Sequence, residues 1–273
     1  MNNSKILISI VIPMYNAQKF ILETIDSVLN QTYKNWEMII IDNCSSDKSY
    51  ELITSLNDDR INLIKLDANS AGPARPRNIG IENSKGEYIA FLDADDLWSS
   101  DKLEKQLEYM LKHNITFSST NSMFVDELSN PIDNKYKIVT FFKKYDKKAT
   151  VCDLIKNKFI ATSSVMVKKE LLGDFSESKE LVSVEDLGQW LHLLHNKKVK
   201  YFYFSEKLLI YRILKNSVSN RTIEHKQTTK ANLAILEFIV KENAFNYVPC
   251  FYKNIAKLIW IDRMKKILRK VKR

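Results

Sequence analysis

The stretch Gly86-Glu87-Tyr88-Ile89-Ala90-Phe91-Leu92-Asp93-Ala94-Asp95-Asp96 decides the fold. Tyr88 to Leu92 form a short continuous apolar run, the pattern of a strand buried on both faces of a parallel sheet. The run then stops at three carboxylates, Asp93, Asp95 and Asp96. In open α/β sheets, ligands bind beyond the carboxyl ends of the strands. Carboxylates at that place suit a hard divalent cation, and such cations commonly bridge phosphates.

Working outward, residues 6–12 read as a buried strand ended by Pro13 and Asn16. Phe20, Ile21, Ile25, Val28 and Leu29 then give residues 17–30 a helical stripe. Residues 36–41 predict a second strand, running into Asp42-Asn43-Cys44-Ser45-Ser46-Asp47 and a helix near 47–57. A third strand is expected at 61–66, and a turn over 71–78 leads into a helix through about Asn83. After the strand at 87–92, Ser100 is the expected N-cap of a helix carrying Leu103, Leu107, Met110 and Leu111. This alternation of strand and helix implies a mostly parallel, Rossmann-like sheet flanked by helices.

Beyond residue 112 the pattern loosens. Short strands and turns are expected over 116–145, a strand at 161–167 and a helix opening at Ser183-Val184-Glu185-Asp186. Residues 199–213 read as one or two strands. Helices follow at 225–242 and from about 249 onward, a C-terminal helical extension. Neither the GxGxxG dinucleotide fingerprint nor the GxxxxGK[ST] phosphate loop occurs.

The 273 residues are 45% hydrophobic and 27% charged, the composition of an ordinary globular chain. No apolar run reaches the ~18 residues that spanning a bilayer takes. The first residues run straight into a strand, so no signal peptide is expected. Cys44, Cys152 and Cys250 are odd in number and far apart; they predict no disulfide framework and fit a reducing cytoplasm. Of the net charge of +9, residues 251–273 carry +8, nine basic residues against Asp262. A nearly neutral body with a basic tail is not a nucleic-acid-binding face.

Each candidate residue has a plainer reading. The Asp93–Asp96 cluster could be a turn or helix start, but packed carboxylates repel, and a cation relieves that repulsion. Asp42 could cap the next helix, or accept the N–H of a nucleobase such as uracil. Arg75 and Arg77 could be solvated, or could face a diphosphate. Ser183-x-x-Asp186 resembles a capping box; with a metal–nucleotide site upstream, a carboxylate there is also a candidate general base. His113, His192, His195 and His225 are scattered and read as structural or surface residues.

Taken together, these residues resemble the family 2 glycosyltransferases, which have the GT-A fold and invert the anomeric centre. Ser9 to Asn16 is similar to their opening strand and nucleotide loop, Asp42 to Asp47 to their D-D-x-S-x-D segment, and Arg77-Asn78 to their R-N. Gly86 to Asp96 carries their D-x-D, and Glu185-Asp186 with Trp190-Leu191 resembles their E-D catalytic segment. Tyr211-Arg212, with Ser217 and Ser219, resembles a Y-R…S motif of many bacterial members. The resemblance implies a catalytic domain over 1–220, with a nucleotide-binding half (1–112) and an acceptor-binding half (113–220), then C-terminal helices over 221–273. It implies that Pro13, Tyr15, Asn16, Asp42, Arg77, Asp93 and Asp95 line the nucleotide. Asp95 and Asp93 would serve Mn²⁺ or Mg²⁺, and Asp186, with Glu185, would deprotonate the acceptor hydroxyl. Two departures stand out: Asn43 replaces the family's second Asp, and Leu187-Gly188-Gln189-Trp190 follows Glu185-Asp186 in place of the usual aromatic-acid pattern. The processive QxxRW motif is missing, which implies one sugar per event.

The expected activity is transfer of one hexosyl or N-acetylhexosaminyl unit from a nucleotide sugar, a UDP-sugar first, to a saccharide acceptor. Surface-polysaccharide assembly, O-antigen (lipopolysaccharide) or capsule, is the implied setting, with an undecaprenyl-diphosphate-linked acceptor. Phe251, Ile255, Leu258, Ile261, Met264, Leu268 and Val271 form a helical stripe among basic residues. Such a helix can lie on an anionic membrane surface or pack on the domain. The first choice puts the protein in the cytoplasm, peripheral on the inner face of the membrane. A sugar-nucleotide nucleotidyltransferase and a non-catalytic nucleotide-sugar-binding protein are the rival readings.

Overall fold

A computed structural model describes residues 6–132, 149–157, 159–214 and 224–256. Ser217, Ser219 and the tail from 257 lie outside the described residues, as does 133–148 of the expected strand-and-turn region.

Four strands form as the pattern requires: β1 (Ile8–Met14), β2 (Trp36–Asp42), β3 (Ile61–Lys65) and β4 (Tyr88–Phe91). They pair in parallel in the order β3-β2-β1-β4. Helices α1 (Ile21–Leu29), α2 (Ser49–Thr54) and α3 (Ala74–Glu82) connect them. The sheet continues as β7 (Met166–Lys168), β6 (Phe117–Val125), β8 (Tyr201–Arg212) and β5 (Leu97–Trp98). There β6 and β8 are parallel, while β4–β7, β6–β7 and β5–β8 are antiparallel. The remaining helices are α4 (Lys102–His113), α5 (Val151–Asn157), α6 (Glu185–His195) and α7 (Glu224–Lys241), with residues 248–256 helical after it.

Both sheet faces are covered, so β4 is buried at every position. Its side chains alternate by the pleat. Tyr88, Ala90 and Leu92 enter a core with Ile10, Ile12, Ile25 and Leu107. Ile89 and Phe91 enter the other core, with Val11, Phe117, Phe175 and Trp190. Two glycines let the backbones come this close. A Cβ on Gly80 of α3 would run into the Val11 side chain at Cγ1, and one on Gly86 would lie 2.6 Å from the Ser9 backbone nitrogen.

Several local expectations change. The region after 116 opens with one nine-residue strand rather than short ones, and 201–212 is one strand of twelve. Of the expected 161–167 strand only Met166 and Val167 join the sheet, in β7, because Thr162–Ser164 turns as a 3₁₀ helix. α4 starts after Asp101, not Ser100, and its early N–H at Leu103 is met by Gln31 Oε1 (3.0 Å), a side chain from the end of α1. The capping box does not form: Ser183 has φ 81° and Val184 is the N-cap of α6. The reading of the cysteines is corrected most plainly. Cys152 in α5 and Cys250 are disulfide-bonded across 98 residues, with Cα atoms 5.7 Å apart, and Cys44 alone is free. Sequence spacing concealed the pair because tertiary packing of the C-terminal helix on α5 brings the two together.

The described start of the tail stripe faces the domain, with Phe251 buried and Ile255 packed against the same core. His192 Nδ1 meets Glu242 Oε1 at 2.9 Å and His195 stacks edge-on with Tyr247, so both are structural. His113 rests on the Tyr109 ring.

Candidate active site

The carboxyl ends of β2, β1 and β4 reach one edge of the sheet, as parallel pairing dictates. Pro13 pairs with Ile41 and Met14 with Asp42, so the β1 loop lies beside Asp42. Asn16, at φ 49°, clasps the two loops: its Oδ1 accepts the Ser46 N–H (2.8 Å) and its own N–H donates to Ser45 Oγ (2.9 Å). Tyr15 stands out from this edge, 53% exposed. The Asp42 carboxylate is buried; Oδ1 accepts the Ser45 N–H at 3.1 Å, and Oδ2 has no hydrogen-bond partner. A buried acceptor without a donor costs about 1–3 kcal/mol. Asn43 does local work, its Oδ1 accepting the Ser70 N–H (2.9 Å) and hydroxyl (3.0 Å).

Arg77 holds the site together. It is 3% exposed, and α3 places it between the two halves of the chain. Nη2 pairs with Asp93 Oδ1 and Nη1 with Glu185 Oε1, each at 2.8 Å. Burial pulls its pKa down, but Asp93, Glu185 and Asp186 outweigh that and raise it. Both Nη atoms are therefore committed to carboxylates here. The expected role beside a diphosphate would fall to a residue already bridging two acids.

Asp96 is buried and is no helix cap. Its Oδ2 accepts the Ser163 hydroxyl (2.6 Å) and its Oδ1 accepts the Arg212 N–H (2.9 Å). Ser163 Oγ also accepts the Asp93 N–H at 3.0 Å. The Arg212 guanidinium is almost wholly enclosed. Nε donates to the Asp95 carbonyl (2.9 Å), Nη1 to the Ser129 hydroxyl (3.0 Å), and Nη2 pairs with Glu23 Oε2 (2.7 Å). The acidic loop is thus gripped from β8 and from the 162–164 turn. Ser163 and Thr162 went unrecognised in the sequence, where they read as part of a strand. Arg212 was visible only as half of a motif.

Asp186 opens α6 and accepts the Thr162 hydroxyl at Oδ2 (2.8 Å). Glu185 is buried, with Oε1 on Arg77 and Oε2 accepting the Ser183 N–H at 2.8 Å. α6 is fixed through Trp190, whose ring centroid lies 5.9 Å from Phe91, 5.6 Å from Phe117 and 5.7 Å from Phe175. Each such ring pair adds about 0.5–1.5 kcal/mol beyond area burial. The strand that ends at Asp93 is thereby packed directly on the helix that begins with Glu185-Asp186.

The electrostatics follow from crowding acids in a poorly hydrated place. Burial, then Asp93, pushes Asp95 up to about 7. Burial, then Asp95 and Asp93, pushes Asp96 well up. Burial and Glu185 raise Asp186 to about 6, against the opposing pull of Arg77. Tyr211 is raised well above its ordinary value by burial and then by all four of Asp96, Asp95, Asp93 and Asp186, so it too borders the cluster. Among the described residues no three acidic, histidine or cysteine side chains are grouped as a ready metal cage.

The profile of glycosyl transferase family 2 matches residues 9–175. A Bacillus subtilis protein provisionally named as a teichuronic acid biosynthesis glycosyltransferase, TuaG, is 37% identical over 81% of this chain and 84% of its own. The Escherichia coli UDP-Glc:alpha-D-GlcNAc-diphosphoundecaprenol beta-1,3-glucosyltransferase WfgD is 35% identical over 78% of this chain and 80% of its own. Among solved structures, S. aureus TarS 1–349 in complex with UDP-GlcNAc superposes with TM-score 0.66 at 18% identity, covering 85% of this chain and 66% of that one. The likeness to TarS shows a shared GT-A-like fold. This chain belongs to glycosyl transferase family 2 and is a glycosyltransferase.

Proposed function

We propose that this family 2 member transfers one sugar from a nucleoside-diphosphate sugar, UDP-linked first among the candidates, to a lipid-linked saccharide in surface-polysaccharide assembly, with inversion. The observation that carries the proposal is the Asp93–Arg77–Glu185 bridge. It joins a phosphate-side acidic loop from the first half to a base-bearing helix from the second. Asp42 Oδ2, buried and unpartnered, is matched to an N–H on the base edge of uracil. WfgD is named for a UDP-glucose donor and a diphosphoundecaprenol acceptor, which supports the same classes here.

Asp186 takes the proton of the acceptor hydroxyl as that oxygen attacks the anomeric carbon. The new carbon–oxygen bond forms as the bond to the diphosphate breaks, and the nucleoside diphosphate leaves. Thr162 holds Asp186 Oδ2, which leaves Oδ1 for the incoming hydroxyl, while Arg77 fixes the neighbouring Glu185. A divalent cation fits Asp95 and Asp93: burial and then the Asp93 charge raise Asp95, and Mg²⁺-type sites use one or two carboxylates plus substrate phosphates rather than a full protein cage. When bound there, such an ion supplies Lewis-acid stabilisation of the departing diphosphate. Arg77, Tyr15, Asn16 and Pro13 are the remaining nucleotide-side residues of this reading. No described helix is long and apolar enough to cross a membrane, and a peripheral place on the cytoplasmic membrane suits a lipid-linked acceptor.

The test is nucleoside-diphosphate release from a panel of sugar nucleotides with Mn²⁺ and a diphosphate-lipid saccharide acceptor. One UDP-sugar should be turned over, and Asp95→Ala should abolish turnover. Full activity in Asp95→Ala would remove the cation from Asp95.

A further inference from the structure

Six of the nine exposed large apolar side chains of the described chain lie within residues 233–252: Leu233, Leu236, Val240, Phe245, Val248 and Tyr252. Singly scattered apolar residues need no explanation, whereas six within twenty residues call for one. Leu233, Leu236 and Val240 follow the spacing i, i+3, i+7, which aligns them on one side of α7. Phe245, Val248 and Tyr252 repeat that spacing after the turn.

The outward direction of these residues is set by what faces inward. On α7, Ala231, Ala234, Ile235, Phe238 and Ile239 enter the core. In the last described helix Cys250 is tied to Cys152, Phe251 is buried, and Asn254 Nδ2 donates to the Ile155 carbonyl at 3.1 Å. Rolling either helix to hide Val240 (69% exposed) or Tyr252 (72% exposed) would break these contacts.

We infer that this outward face of α7 and residues 245–252 rests on an anionic lipid surface. Lys241 and Lys253 are exposed within it, against the single exposed acid Glu237. The chain continues into residues 257–273, which carry eight basic residues and one acidic. Apolar side chains with exposed lysines among them, in a chain whose sequence goes on into a basic stretch, match the boundary between acyl chains and anionic headgroups. A second copy seated on the same face would bring two such tails together, and like charges oppose that pairing. The position also suits the chemistry. α7 packs on α6, the helix that begins with Glu185-Asp186. Lys230 Nζ donates to the Val182 carbonyl (2.8 Å), three residues before Glu185. A lipid surface here lies one helix layer from the proposed base. The inference rests on the reading of the acceptor as lipid-linked. It assigns the contact to a face distinct from the tail stripe, whose first members, Phe251 and Ile255, pack on the core.

The test is co-sedimentation of the full chain with phosphatidylglycerol–phosphatidylethanolamine vesicles and with phosphatidylcholine vesicles. The full chain should bind the anionic vesicles more tightly, and Val240→Glu/Tyr252→Glu should weaken that binding at least tenfold. The double variant should keep its melting temperature and its rate of nucleoside-diphosphate release in detergent, where the acceptor needs no bilayer. Unchanged vesicle binding by the double variant overturns the inference. So does a wild-type dimer in light scattering that the double variant dissolves while vesicle binding stays the same. Loss of turnover by wild type in detergent would instead count against the proposed reaction, because vesicle binding is read without it.

Discussion

Replacing Arg77 with methionine removes the cation from between Asp93 and Glu185 while keeping an apolar chain of similar length. Two acids are then left facing a gap. Glu185 is buried, and breaking a buried pair by removing one partner costs about 3–5 kcal/mol. The Asp93 side chain is 34% exposed, so water screens it and its share is smaller, about 0–1 kcal/mol. A loss of about 3–5 kcal/mol lowers the melting temperature by roughly 6–20 °C in a domain of this size. Differential scanning calorimetry at neutral pH measures it. A double-mutant cycle with Glu185→Gln isolates the pair: the double variant should be at least about 1 kcal/mol more stable than the sum of the single losses. If Arg77 served only as a nucleotide ligand, Arg77→Met would weaken donor binding and leave the melting temperature alone. A shift under about 3 °C, with additive single losses, refutes the bridging role.

The proposed base Asp186 would act in its charged form, and burial beside Glu185 raises it to about 6, so kcat/KM should fall as the pH drops below about 6; a profile flat down to pH 5 would contradict this. Ser163→Ala should cost about 1–3 kcal/mol and reduce turnover, because it strips hydrogen bonds from both the Asp93 N–H and Asp96; wild-type thermal stability would show the pin to be dispensable. Gly86→Ala should destabilise by about 1–3 kcal/mol or more, since its Cβ meets the β1 backbone at 2.6 Å and backbone yields poorly. A wild-type melt for that variant would mean β1 and β4 separate easily.

The first half of the fold was legible because β1, β2 and β4 are buried on both faces. Such strands write themselves as unbroken apolar runs, as Tyr88 to Leu92 does, and parallel pairing then brings Asp42 and Asp93 to the same edge of the sheet, on either side of β1. The second half was less so. β5 is two residues long and exists through pairing with β8, 110 residues or so further on, for which a local pattern has no signal. Thr162–Ser164 has strand-like composition but turns, so Ser163 and Thr162 were hidden among residues read as extended. Asp186 and Glu185 were found by their likeness to a known segment, and the local argument for a capping box pointed elsewhere. Ser183 forsakes that cap for a left-handed conformation, which leaves Glu185 turned to Arg77 and Asp186 to Thr162. Arg77 was read as a residue facing a diphosphate, and the sequence could not reveal that its two carboxylate partners come from opposite halves of the chain. The same holds for Cys152 and Cys250, joined only by the docking of the last described helix on α5.

The proposed reaction rests on a base at Asp186 reaching an acceptor while Asp93 and Asp95 hold the donor side. The most direct test is the single-turnover rate of sugar transfer by Asp186→Asn, measured with a UDP-sugar that the wild type turns over and a diphosphate-lipid saccharide acceptor. The amide preserves shape and can still meet the Thr162 hydroxyl, but it takes no proton. The rate should fall by about 10²–10⁴-fold. A rate within threefold of wild type would mean that the proton leaves by another route and that Asp186 is not the base.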